Sequence, residues 1–194
     1  MVMDYHSTNN QEPKCVINMK IGFTGTVSVG KTTLVNSLKE LPEFKHYDFA
    51  TERSKYLRDL GIPLNTDSTL KGQTIFLSER CSELIRHNII TDRTVIDVMA
   101  FTLNADSIDH VDKYRFQEYA SKFIEEYDWI FYVSPAGVSI EDNSVRTTDE
   151  EYRKQIDSTI KHLCSEYLCK IKNFGIIAGS NEDRITQIKS YLNL

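Results

Sequence analysis

Gly25-Thr26-Val27-Ser28-Val29-Gly30-Lys31-Thr32 decides the fold. The stretch matches Gly-x-x-x-x-Gly-Lys-Thr, the P-loop, and sits in the context that the motif requires. Ahead of it, Val16 to Thr24 reads as a strand whose apolar end is Ile21-Gly22-Phe23; behind it, Thr33 to about Leu41 reads as a helix. The glycines allow a tight turn that aims backbone N–H groups at phosphate oxygens, and the helix N-terminus adds partial positive charge. Gly25, Thr26, Val27, Ser28, Val29, Gly30, Lys31, Thr32 and Thr33 are therefore expected to bind a nucleoside triphosphate. Lys31 is expected at the β- and γ-phosphates, and the Thr32 hydroxyl on Mg²⁺. A chance Gly-rich turn would have no reason to carry both the strand and the helix.

Outward from the motif, the chain alternates between apolar runs and helical stripes. His46 to Glu52 reads as a second strand and Glu52 to Leu60 as a helix, stopped by Gly61-Ile62-Pro63. A long helix follows to about His87, capped by Thr66 or Ser68, with Ile75, Phe76, Leu77, Cys81, Leu84 and Ile85 as its apolar stripe. Asn88 to Thr91 reads as a third strand ending in Asp92-Arg93-Thr94, and Val95 to Phe101 as helix. Val111 to Tyr127 is a further helix, packing through Tyr114, Phe116, Tyr119, Phe123 and Ile124. Trp129-Ile130-Phe131-Tyr132-Val133 is apolar without a break, the mark of a central strand buried on both faces. A helix from about Glu151 to Ile171, a strand Gly175–Ala178 and a helix Asn181–Leu192 complete the chain. Such alternation predicts an α/β fold of three layers, a five-stranded parallel sheet covered by helices on both faces. Residues 1–18 are polar and aperiodic and read as a flexible tail; 19–194 read as one domain, and Met19 is a second candidate start.

Composition sets bounds. The 194 residues carry a net charge of −5, which argues against broad nucleic-acid binding through many Lys and Arg contacts. Cys15, Cys81, Cys164 and Cys169 form no Cys-x-x-Cys pair and read as reduced thiols of a cytoplasmic protein. No run approaches the roughly 18 apolar residues of a membrane span.

In a parallel sheet, ligands collect at the carboxyl ends of the strands. Those ends are Gly25–Thr32, Glu52-Arg53, Asp92-Arg93, Ser134-Pro135 and Gly179-Ser180. Phosphoryl transfer needs positioning, Mg²⁺ and charge compensation. Asp92 is assigned to the metal shell with Thr32, and Glu52 to orienting or deprotonating the acceptor hydroxyl; a bare helix-dipole role would also suit Glu52. Arg93, and less directly Arg53, can clamp a phosphate bidentately or pair with a neighbouring acid. A charged stretch around 140–153 suits a lid that excludes water, with Arg146 and Arg153 reaching the phosphates; a solvated helix face has the same composition. Gln73, among apolar neighbours, can pair with the edge of a base or lie satisfied at the surface. Gly179 opens a turn suited to pass beside the nucleotide base, or simply to start a helix.

The order of P-loop, carboxylate after the second strand, Asp-Arg after the third, Arg-bearing lid and Gly turn after the fifth resembles nucleoside and nucleotide kinases. Thymidylate kinases, deoxynucleoside kinases and the ribosylnicotinamide kinase domain share it. Thr51-Glu52-Arg53-Ser54-Lys55-Tyr56 and Thr91-Asp92-Arg93-Thr94-Val95-Ile96-Asp97-Val98 are most similar to small AAA-labelled phage and bacterial kinases. Those include kinases of 5-hydroxymethyluracil within DNA. The resemblance implies an ATP- and Mg²⁺-dependent kinase; the sequence leaves open whether it is a monomer or a homodimer. It also implies phosphate binding by Gly30, Lys31 and Thr32, a catalytic carboxylate at Glu52 and an Asp92-Arg93 pair at the active centre. The acceptors it leaves open are a free nucleoside or nucleotide, nicotinamide riboside, and a hydroxymethyl pyrimidine in DNA. A regulatory NTPase without an acceptor is the rival class.

Overall fold

A computed structural model of the chain describes residues 18–51, 53–136 and 150–194. Five strands, β1 (Lys20–Thr24), β2 (Asp48–Ala50), β3 (Ile89–Asp92), β4 (Trp129–Val133) and β5 (Phe174–Ile177), form one sheet in the order β2-β3-β1-β4-β5. Every pair is parallel. Seven helices are described: α1 (Lys31–Lys39), α2 (Ser54–Asp59), α3 (Leu70–Glu83), α4 (Val95–Leu103), α5 (His110–Ala120), α6 (Glu150–Glu166) and α7 (Asn181–Leu192).

The two-residue period of the strands divides the core. Ile21, Phe23, Ile90, Phe131, Val133 and Ile177 face one way, against Leu34, Val35 and Leu38 of α1 and Ile188 of α7. Ile130 and Tyr132 face the other way, into a larger cluster built by α3, α4, α5 and α6. The unbroken run at β4 thus reflects burial on both faces, as the sequence predicts. On the second face Gly22 makes room for the Tyr127 ring; a Cβ there would lie 2.7 Å from Tyr127 Cε1 and 2.5 Å from Thr94 Cγ2.

Several element ends differ from expectation. Met19 is not yet strand, and Val16 lies outside the described residues, as do residues 1–17 as a whole. The long helix is capped by Thr69, whose hydroxyl accepts from Gly72 N, and not by Thr66 or Ser68; it ends at Glu83. Ile85, beyond that end, leaves the apolar stripe and is exposed. The helix expected to run to Tyr127 stops at Ala120 and tightens into a 3₁₀ segment, Ser121–Glu126. Ile124 is buried within that tighter segment, whereas Tyr114 and Tyr119, on the outer side of α5, stand in solvent. The helix expected to reach Ile171 ends at Glu166, before a second 3₁₀ turn at Leu168–Lys170. Cys81, Cys164 and Cys169 are free thiols. No described helix is long and apolar enough to cross a membrane.

Candidate active site

The chain leaves β1 for β2 and β3 on one side of the sheet, then crosses to β4 and β5 on the other. Such a reversal opens a crevice at the carboxyl edge beside β1. The P-loop fills it. Gly30 caps α1 at φ 80°, a left-handed value that glycine adopts without strain, and Ser28 also takes a positive φ of 55°. A Cβ on Gly25 would lie 2.8 Å from the Val133 carbonyl oxygen, so the loop can press against the end of β4 only with glycine there. Lys31 is buried, and its Nζ donates to the carbonyls of Gly25 (2.6 Å) and Thr26 (2.7 Å). The lysine thus arches back over the loop it belongs to.

Asp92, at the end of β3, is 1% exposed and accepts from Thr32 Oγ1 at 2.5 Å. These are the two oxygens the sequence assigns to Mg²⁺, and the structure brings them together. A carboxylate and a hydroxyl suit that hard cation, which takes its other ligands from phosphate and water.

Arg93 follows at φ 126°, a strained value for a non-glycine residue. Its guanidinium lies 3.4 Å from Asp97 Oδ1 and stacks over Phe101, 5.0 Å from the ring centre. Asp97 is a residue that sequence reasoning overlooked. It is fully buried; Oδ2 accepts from Thr94 N (2.9 Å) and Thr94 Oγ1 (3.1 Å), and Oδ1 lies 3.4 Å from Gly25 N. One carboxylate therefore closes the capping box of α4, steadies Arg93 and touches the start of the P-loop. Its signal was legible: Thr-x-x-Asp at the start of an otherwise apolar helix.

A recess beside the P-loop is lined by Val27, Ser54, Leu64, Asn65, Ser68, Gln73, Phe76, Arg93, Val98 and Phe101. Gln73 is 3% exposed and borders this recess rather than the outer surface. Ser68 Oγ is buried without a hydrogen-bond partner among the described residues. Arg53 stands apart from the lining. Its guanidinium pairs with Glu79 Oε1 at 3.2 Å and lies over Tyr56. Arg153 is in the first turn of α6, and its carbonyl accepts from Thr26 Oγ1 at 2.9 Å, so the P-loop is tied to that helix. Thr33 is exposed on α1. Gly179, at φ 93°, precedes Ser180, which caps α7 with Asp183 in a capping box. Glu52 and Arg146 lie outside the described residues, as do residues 140–149 of the expected lid.

Behind the site, Arg80 of α3 is 3% exposed and donates to Glu83 Oε1 at 2.7 Å. Burial outweighs that guanidinium and pushes the Glu83 carboxyl up to about 7.

The parallel order, the P-loop and the Thr32–Asp92 pair define a P-loop nucleotide-kinase-like fold. The chain belongs to the AAA domain family, whose model matches residues 20–184. Among curated proteins none matches the sequence. Deoxyadenosine kinase from M. mycoides, solved with dCMP and dCDP, is similar at 22% identity and a TM-score of 0.56, over 90% of this chain and 97% of that one. NadR in complex with NR gives a TM-score of 0.69 at 16% identity, over 92% of this chain and 52% of that one. Thymidylate kinase from Candida albicans gives 0.62 at 12% identity, over 91% of each chain. At these identities the likeness is one of fold.

Proposed function

We propose that the protein is an ATP-dependent kinase that moves the γ-phosphoryl group to a nucleoside-type acceptor. The observation that carries this reading is the recess, because the P-loop residue Val27, the strand-end residue Arg93 and the helix residue Gln73 all line it. An acceptor held there lies against the phosphate-binding loop. The Gln73 amide can both donate to and accept from a base edge, and Phe76 and Phe101 offer ring faces for stacking.

In this reading the acceptor hydroxyl oxygen bonds to the γ-phosphorus as the bond to the β,γ-bridging oxygen breaks, and ADP leaves. Lys31 turns from the loop carbonyls to the β- and γ-phosphates, and Arg93 compensates charge on the transferring group. Thr32 and Asp92 would hold Mg²⁺, which when bound would neutralise charge on the phosphates. Glu52 takes the acceptor proton, an assignment that rests on its place in the sequence. The fold neighbours named for deoxyadenosine and thymidylate phosphorylation support a kinase; the net charge of −5 favours a free acceptor over DNA. Lys31→Ala tests the core of it: transfer of label from γ-labelled ATP should fall about 10²–10³-fold, the scale for removing one preorganised electrostatic donor. A Lys31→Ala protein with full transfer would overturn the proposal.

A further inference from the structure

Arg184 is a cation in an unfavourable place. It lies in the first turn of α7, where the helix dipole disfavours positive charge. Its guanidinium reaches across to the P-loop: Nη1 donates to the Val29 carbonyl at 2.7 Å and Nη2 to the Ser134 carbonyl at 3.2 Å. A Cβ on Gly30, the cap of α1, would lie 3.2 Å from Nη1, so the charge also sits at the positive end of that helix. The residue is 4% exposed and Nε is buried without a partner among the described residues. No carboxylate among the described residues offsets the burial, which pushes the guanidinium below its usual range. The N-terminus of α1 and a buried cation thus meet at the Val29–Gly30 peptide, and among the described residues two neutral carbonyls answer the guanidinium, while the acids of α7's first turn, Glu182 and Asp183, serve that helix's own N-terminus. A buried charge without a counter-charge is costly, and what relieves it is an anion.

We infer that Arg184 is a charge-completing residue of the P-loop whose counter-ion is the polyphosphate of the bound nucleotide. It acts in two ways. The fork to Val29 and Ser134 locks the loop against the end of β4, which fixes the direction of the N–H groups that follow. Its positive charge adds to the potential at the loop, so that affinity depends on how many phosphates the ligand carries. This rests on nucleotide binding at the P-loop, but not on the transfer step.

The test is equilibrium binding of ATP and, by competition, of AMP, without acceptor, to the full chain and to Arg184→Gln and Arg184→Lys. The glutamine keeps a donor for the Val29 carbonyl and removes the charge. It should weaken ATP about tenfold or more and AMP less than about threefold, the scale of one charge at an effective dielectric near 20. Arg184→Lys keeps the charge and should hold the ATP-to-AMP ratio within about threefold of the unaltered protein. Equal weakening of both ligands in Arg184→Gln, or collapse of the ratio in Arg184→Lys, would overturn the inference. If the glutamine variant does not fold, the lysine variant carries the test alone. A protein that binds ATP with this charge dependence yet transfers no phosphate would sink the kinase reading and leave this one standing; one that binds no ATP would sink both.

Discussion

Asp97→Asn changes one oxygen to an NH₂ group and should cost far more than its size suggests. The four groups around this carboxylate are Thr94 N, Thr94 Oγ1, Arg93 Nη1 and Gly25 N. Three are obligate donors, and the Thr94 hydroxyl already donates here, so a carboxylate can accept from all of them. An amide keeps one acceptor and must turn its own donors on the rest, in a place with no exposure to water. The two contacts to Thr94 are short, at 2.9 and 3.1 Å, and the two others are long, at 3.4 Å. Bonds to a charged group contribute about 1.5–3 kcal/mol each, and the long pair less, so a loss of about 2–4 kcal/mol is expected. For a chain of this size that lowers Tm by roughly 5–15 °C. Thermal unfolding followed by circular dichroism, with urea titration to check that m is unchanged, reads it directly. An Asp97→Asn protein within about 0.5 kcal/mol of the unaltered chain would refute this account of how the P-loop and the Asp92-Arg93 turn are joined.

Gly22→Ala should destabilise by about 1–3 kcal/mol in urea, because its Cβ meets Thr94 and Tyr127 inside 3 Å on a fully packed face; an unchanged midpoint would show that Tyr127 moves freely. Glu83 gives a pH signature. Its carboxyl rises from 4.5 to about 7 on folding, chiefly by burial and against the pull of Arg80. A raised acid contributes stability that is full below its unfolded pKa and is lost as pH climbs through the folded one. Against Glu83→Gln, which does not titrate, the unaltered protein should therefore lose up to about 3 kcal/mol between pH 5 and pH 8. A difference between the two that stays flat across that range would contradict it.

What could be read from the sequence was what depends on neighbours in the chain. The P-loop, the apolar run at Trp129–Val133 and the acid at the end of β3 each announce themselves within a few residues. The parallel sheet followed from their alternation. The recess could not be read this way, because Leu64 and Ser68, then Gln73 and Phe76, then Val98 and Phe101 come from three separate segments that meet only in the fold. Tyr114 and Tyr119 misled because α5 buries only a narrow face, Phe116 and Ala120, and their aromatic character said nothing of which side of the helix they stand on. Ile85 misled because a helical period was carried past Glu83, where α3 ends. Arg184 carried a signal of the opposite kind: a basic residue in the first turn of a helix breaks the dipole rule, and such exceptions mark places where tertiary contacts or a ligand decide.

The central claim is transfer of a phosphoryl group to a nucleoside-type acceptor, and γ-labelled ATP with Mg²⁺ tests it most directly. The acceptor panel should hold deoxynucleosides, deoxynucleoside monophosphates, nicotinamide riboside, and DNA with and without 5-hydroxymethyluracil. The account predicts that label moves to one class of free nucleoside-type compound, and that Lys31→Ala slows the movement about 10²–10³-fold. Label released only as inorganic phosphate, at one rate whatever acceptor is present, would contradict it and make the protein an NTPase without a phosphoryl acceptor.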